Sequence, residues 1–141
     1  MNLNQITIKS TDVSLAVKFY LKLGLKLIVD STPRYARLEC PVGGSTFSIS
    51  QGDVSVEQTT VIYFEVKDID QEYQQLKQQG LKFNCPPKDK DWLWREANLN
   101  DPDGNPLKLF SAGKNRKNPP WRIPTKRWFE CISDSPYNLM K

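Results

Sequence analysis

Residues 5–27 and 61–83 carry one pattern twice. Asp12 answers to Asp68, Val13 to Ile69, Val17 to Tyr73, Gly24 to Gly80, Leu25 to Leu81 and Lys26 to Lys82, each pair 56 positions apart without a gap. The apolar Ile6 and Ile8 likewise answer to Ile62 and Phe64. A shared period of this length means two copies of one supersecondary unit. Each copy reads as a strand, a helix and a second strand. In the second, Ile62, Phe64 and Val66 alternate with Val61, Tyr63 and Glu65, which sends the two sets to opposite faces of a sheet. Asp68 stands where an N-cap belongs, with Gln71 three residues on as a capping-box partner, and Gly80 supplies a left-handed stop. The first copy repeats this with Asp12, a stripe of Val13, Ala16, Val17 and Tyr20, and Gly24.

Between the copies, Tyr35 to Glu39 reads as a strand, PVGG at residues 41–44 as a hairpin connection, and Ser45 to Gln51 as an alternating strand. The second half continues through Leu81 to Phe83, a polar loop from Pro86 to Asp91, and a strand from Trp92 to Leu99. The turn DPDGN at residues 101–105 precedes a last strand from Leu107 to Ser111. In 141 residues with 38% hydrophobic content, two half-sized units sharing one core fit better than two independent domains. Modules at residues 1–52 and 60–112, with a linker at 53–59, are therefore expected to form one domain spanning residues 1–112.

Composition narrows the function classes. No run of eighteen apolar residues occurs, so no membrane span is expected, and MNLNQITIKS lacks an apolar signal core. Cys40, Cys85 and Cys131 are odd in number and widely spaced, which speaks against a disulfide framework or a zinc site. A soluble chain in a reducing cytoplasm is the expectation. The formal charge of +4 sits in the tail: residues 112–141 carry seven basic side chains against Glu130 and Asp134. The tail, residues 113–141, is rich in Pro, Trp and basic residues. It is expected to form an extended arm held by Trp121 and Trp128, packed on this domain or a second copy, and nucleic-acid binding is disfavoured.

An opening LNQITI strand, a capped helix ending FYLKLGLKL, VIYFEVKDID opening the second half and WREANLNDPDGNPLKLF closing it resemble the vicinal oxygen chelate superfamily of glyoxalase, bleomycin-resistance and extradiol-dioxygenase proteins. The resemblance covers residues 1–111. It implies an α+β fold in which two βαβββ modules form a half-open, barrel-like sheet, here with a C-terminal extension. It also implies a pocket in which the enzymes hold a divalent metal, at positions occupied in this chain by Gln5, Ser48, Val61 and Lys108. Members commonly pair as homodimers, and some sequester antibiotics without a metal.

The residues at those positions are poor ligands. The chain has no histidine, Val61 offers no lone pair, and Ser48 is a weak neutral donor. A Lys108 ammonium ~4 Å from a doubly charged ion would be repelled by roughly 8 kcal/mol at an effective dielectric of ~20. No metal or other cofactor is therefore expected. The reading is a metal-independent small-molecule binding or resistance-type protein, and whether any catalysis remains is open. Its candidate ligand-binding residues are Gln5, Ser48, Tyr63, Lys108, Phe110, Trp92, Trp94 and Arg37, facing a small planar or anionic ligand. Lys108 is either a fixed charge for that ligand or the partner of Glu65, and Arg37 either faces the pocket or lies at a sheet edge. A metal-dependent lyase, isomerase or dioxygenase, and a nucleic-acid or protein-partner module using the basic tail, stand as alternatives.

Overall fold

Both expected caps form. Asp12 accepts a hydrogen bond from the Leu15 N–H and Asp68 one from the Gln71 N–H, each at 3.1 Å, so helix α1 (Val13–Leu23) and helix α2 (Ile69–Gln78) start at equivalent points. A computed structural model describes residues 2–54, 57 and 60–123. Gly24 ends α1 at a φ of 114°, its N–H reaching the Leu21 and Tyr20 carbonyls. Such a φ is strained for any residue with a Cβ, and open space around Gly24 leaves the backbone as the sole obstacle. Gly24→Ala is therefore expected to lower stability by about 1 kcal/mol in a denaturant titration.

Around the helices run β1 (Gln5–Ser10), β2 (Lys26–Ser31), β3 (Tyr35–Glu39), β4 (Thr46–Gln51), β5 (Ile62–Glu65), β6 (Phe83–Asp89), β7 (Arg95–Asn100) and β8 (Pro106–Ser111). They form two four-stranded sheets of the same design, in the orders β1-β4-β3-β2 and β5-β8-β7-β6. In each sheet the first strand pairs in parallel with the fourth, and the remaining pairs are antiparallel. The fold is thus α+β, with a βαβββ unit in each half.

The helix-covered faces of both sheets meet in one core. Ala16, Val17 and Tyr20 pack with Leu38, Phe47 and Ile49, and the cluster continues into Ile62, Leu76, Leu99, Leu107 and Leu109. The Phe47 ring lies 4.5 Å from Tyr20 and 6.2 Å from Phe64, so it touches both halves. Polar ties reinforce the joint. The Tyr20 hydroxyl donates to Asp101 at 2.7 Å, and the Thr11 N–H and hydroxyl both donate to Asp103 at 2.9 Å. Burial first, then the negative charge of Asp101, raises the Tyr20 pKa and keeps the phenol protonated.

Three expectations are corrected. The polar loop from Pro86 is strand as far as Asp89, because β6 is a sheet edge, where prolines lose no ladder bond, and its register shifts on either side of Cys85. Trp92 and Trp94 precede β7 in a turn where Leu93 takes a φ of 66°, so the strand begins only at Arg95. Trp121, expected to hold the arm, is 57% exposed among the described residues, while Trp128 lies outside them. Gly113–Arg116 forms a single 3-10 turn whose Arg116 pairs with Glu65 at 3.1 Å.

Candidate functional site

Alternation along the strands sends one set of side chains away from the common core. On the first sheet the register sets Thr7 and Arg37 against Ser48, and Gln5 against Thr46. On the second it sets Tyr63 and Asn98 against Lys108, and Glu96 against Phe110. The two sets carry different chemistry.

The first is a hydrogen-bonded quartet around Ser48, which is fully buried. Its hydroxyl accepts from Gln5 Nε2 at 2.8 Å, lies 2.7 Å from the Tyr35 hydroxyl, and takes a long bond of 3.4 Å from Arg37 Nε. Arg37 Nε donates to the Tyr35 hydroxyl at 2.9 Å, and Gln5 Oε1 accepts from Thr46. The hydrogen bond to Ser48 is the main influence on the Tyr35 phenol, and with Arg37 it lowers the pKa.

The second set is aromatic, with one ion pair. Trp94 stacks on Phe110 at 4.6 Å and 17°, and the Tyr63 ring stands edge-on to both. Phe110 is buried beneath Trp94, so the accessible rings are Tyr63 and Trp92, 46% and 44% exposed. Lys108 Nζ lies 3.0 Å from Glu96 Oε2 and 5.6 Å from the centre of the Tyr63 ring. Glu96 is buried and also accepts from Trp92 Nε1 at 2.9 Å. Burial alone would lower the Lys108 pKa, but the hydrogen bond and charge of Glu96, helped by Tyr63, leave it raised above 10.5. Beside this pair the buried Asn98 Oδ1 has no partner among the described residues.

The partner of Lys108 is thus Glu96, while Glu65, the pairing considered from sequence, is engaged by Arg116. Arg37 lies on an inner strand of its sheet and joins the quartet. Tyr35, Glu96 and Asn98 escaped the sequence reading as site residues. Alternation with Arg37 and with Lys108's neighbours was the signal that could have found them. Cys40 is half-buried, with its thiol pKa pushed up by burial and then by Glu39, whereas Cys85 is exposed.

The positions that the family uses for metal do not suit an ion. Gln5 is committed to Ser48 and Thr46, Lys108 to Glu96, and Val61 has no donor atom. Among the described residues no three His, Cys, Asp or Glu side chains lie close enough to share a metal. Two surface grooves, of about 510 and 400 Å³, lie elsewhere. The larger runs between the outer face of α1 and the β7–β8 turn, past Leu15, Phe19 and Pro102, and the smaller lies beside Trp94 and Ser111. Neither groove is lined by Gln5, Ser48 or Lys108, where the pocket was expected. No helix among the described residues is long and apolar enough to cross a membrane.

A sequence model of the Glyoxalase/Bleomycin resistance protein/Dioxygenase superfamily matches residues 2–109. The fold superposes on a glyoxalase/bleomycin resistance protein/dioxygenase from Nocardioides with a TM-score of 0.72, covering 88% of this chain and 90% of that one at 21% identity. It is similar to a lactoylglutathione lyase from Agrobacterium tumefaciens with a TM-score of 0.66, over 78% and 92% of the two chains at 14% identity. Over 51 residues the sequence is 35% identical to the protein YraH of Bacillus subtilis, a match spanning 36% of this chain and 40% of YraH. These structural likenesses carry the fold and leave the activity open. With the first βαβββ unit and all but the last two residues of the second inside the matched residues, the chain belongs to the glyoxalase/bleomycin resistance protein/dioxygenase superfamily.

Proposed function

We propose that the protein binds a small, flat molecule without a metal, in the manner of a sequestering or resistance-type protein. The observation that carries this reading is the fate of the four family ligand positions, now an amide, a buried hydroxyl, an aliphatic and an ion-paired ammonium. Chemistry that needs a metal to polarise a substrate oxygen has no ligand set here. What remains is recognition, with exposed Tyr63 and Trp92 rings for stacking.

A face without an enclosing groove binds weakly unless something covers it. Val61 and Tyr63 are 38% and 46% exposed, an apolar rim suited to a second copy of the chain, so we place the ligand in a homodimer. Gel filtration with light scattering is expected to give twice the 16.3 kDa chain mass.

Thermal denaturation with planar amides, planar acids and planar antibiotics tests the binding. At least one class is expected to raise Tm in proportion to ln concentration. Zinc, nickel or manganese chloride is expected to leave Tm unchanged, and elemental analysis of purified protein to find less than about one metal per ten chains. Stoichiometric metal would replace the proposal with a metal-dependent lyase, isomerase or dioxygenase.

A further inference from the structure

We infer that the quartet on the first sheet is a seat for an oxyanion, with the Arg37 guanidinium as its reading head. This deepens the small-molecule reading above by naming the ligand's chemical class, and it rests on that reading. Three other cations near these faces are already neutralised: Lys108 by Glu96, Arg95 by Asp70 and Asp89, and Arg116 by Glu65. Arg37 forms no ion pair among the described residues. Its bonds run from Nε to the Tyr35 and Ser48 hydroxyls, both neutral acceptors. Glu39, two residues along on the same face, is not paired with it.

That arrangement fixes the inner edge of the guanidinium and leaves both terminal NH2 groups unpartnered among the described residues. A planar fork held in place with its outer donors free matches the two oxygens of a carboxylate or phosphate. Ser48 anchors the arrangement because it is fully buried and takes the Gln5 amide as well. With Ser48 donating to Tyr35, the Tyr35 oxygen accepts from Ser48 and from Arg37, and its own proton is free to point at the bound anion. The lowered phenol pKa agrees with that assignment. The two NH2 groups of Arg37 and the Tyr35 hydroxyl are then available to one anion.

The test uses the full chain and three probes with one ring system: 2-naphthoate, 2-naphthyl phosphate and the neutral 2-naphthamide, titrated by calorimetry at pH 7.5. At least one anion is expected to bind about tenfold more tightly than the amide, a difference within reach of one bidentate pair. Whichever anion is tighter identifies a carboxylate or a phosphate ligand. Arg37→Gln is expected to erase the preference, lowering the anion's affinity about tenfold more than the amide's, and Arg37→Lys to restore a minor part of it. Tyr35→Phe is expected to weaken the anion a few-fold more than the amide.

An amide that binds as tightly as both anions would overturn the seat and leave the small-molecule reading standing. An anion preference that survives Arg37→Gln would do the same. Failure of all three probes to bind the wild-type chain would overturn both. Arg37 is exposed, so its variants are expected to keep the wild-type circular dichroism and Tm within a degree or two.

Discussion

Asp101→Ala is expected to lower the free energy of unfolding by about 4 kcal/mol or more, the largest effect of any single substitution considered. Asp101 is 5% exposed, and its two oxygens accept four hydrogen bonds: from the Asp103 and Asn105 N–H groups, the Asn105 amide and the Tyr20 hydroxyl. Alanine strands these donors, and the Tyr20 hydroxyl, on a residue with no exposure, has no route to water. Tyr20→Phe removes one donor and leaves the carboxylate its other three, so it is expected to cost about 1–2 kcal/mol. Urea titrations of the two variants give the comparison. Equal losses, or a loss below about 1 kcal/mol for Asp101→Ala, would show that the DPDGN turn holds without this carboxylate.

Lys108→Ala is expected to cost about 2–3 kcal/mol, because it leaves the nearly inaccessible Glu96 carboxylate with only the Trp92 N–H. The figure sits below the usual range for breaking a buried pair because Lys108 is 25% exposed and water can reach the vacated space. Adding Glu96→Gln should recover more than half of the loss, since a neutral amide can be buried without a countercharge. The pH dependence has a definite sign. With the Lys108 pKa raised on folding, its contribution is complete below 10.5 and is lost as the pH climbs through the higher folded value. The gap between wild type and Lys108→Ala should therefore be constant from pH 7 to 9 and close only under stronger alkali. A gap that closes already near pH 8 would mean that the ammonium is not what Glu96 requires.

How much of this could be read from the residues depends on the range of the interaction. Asp12, Asp68, Gly24 and Gly80 act within a turn or two of the chain, so their roles were visible in spacing alone, and the repeat supplied the topology of the second half from the first. Tyr35–Glu39 was placed on its strand because alternation is a local property. What escaped was set across strands. Glu65 was the acid considered for Lys108, but the β7–β8 register sets Asn98 against Lys108 and Glu96 against Phe110, and it is Glu96, on the diagonal, that the ammonium reaches. Of the two roles considered for Lys108, the structure shows the internal ion pair, with Glu96 as the acid, while Arg37 forms no ion pair among the described residues. Likewise Trp92 and Trp94 looked like strand residues by alternation with Glu96. The left-handed Leu93 between them, which no propensity would have offered, places both rings in a turn.

The bond between Tyr20 and Asp101 spans 81 positions, which has a consequence for synthesis. As the chain leaves the ribosome, the first helix is complete long before its acceptor exists, and the phenol must stay hydrated until the penultimate strand and its turn have emerged. The amino-terminal half therefore cannot close over Tyr20 early without stranding a hydroxyl, and final consolidation is deferred to nearly the last residues of the domain. A nascent chain arrested before Asp101 is expected to be trimmed readily by protease, and one arrested well past Ser111 to resist it.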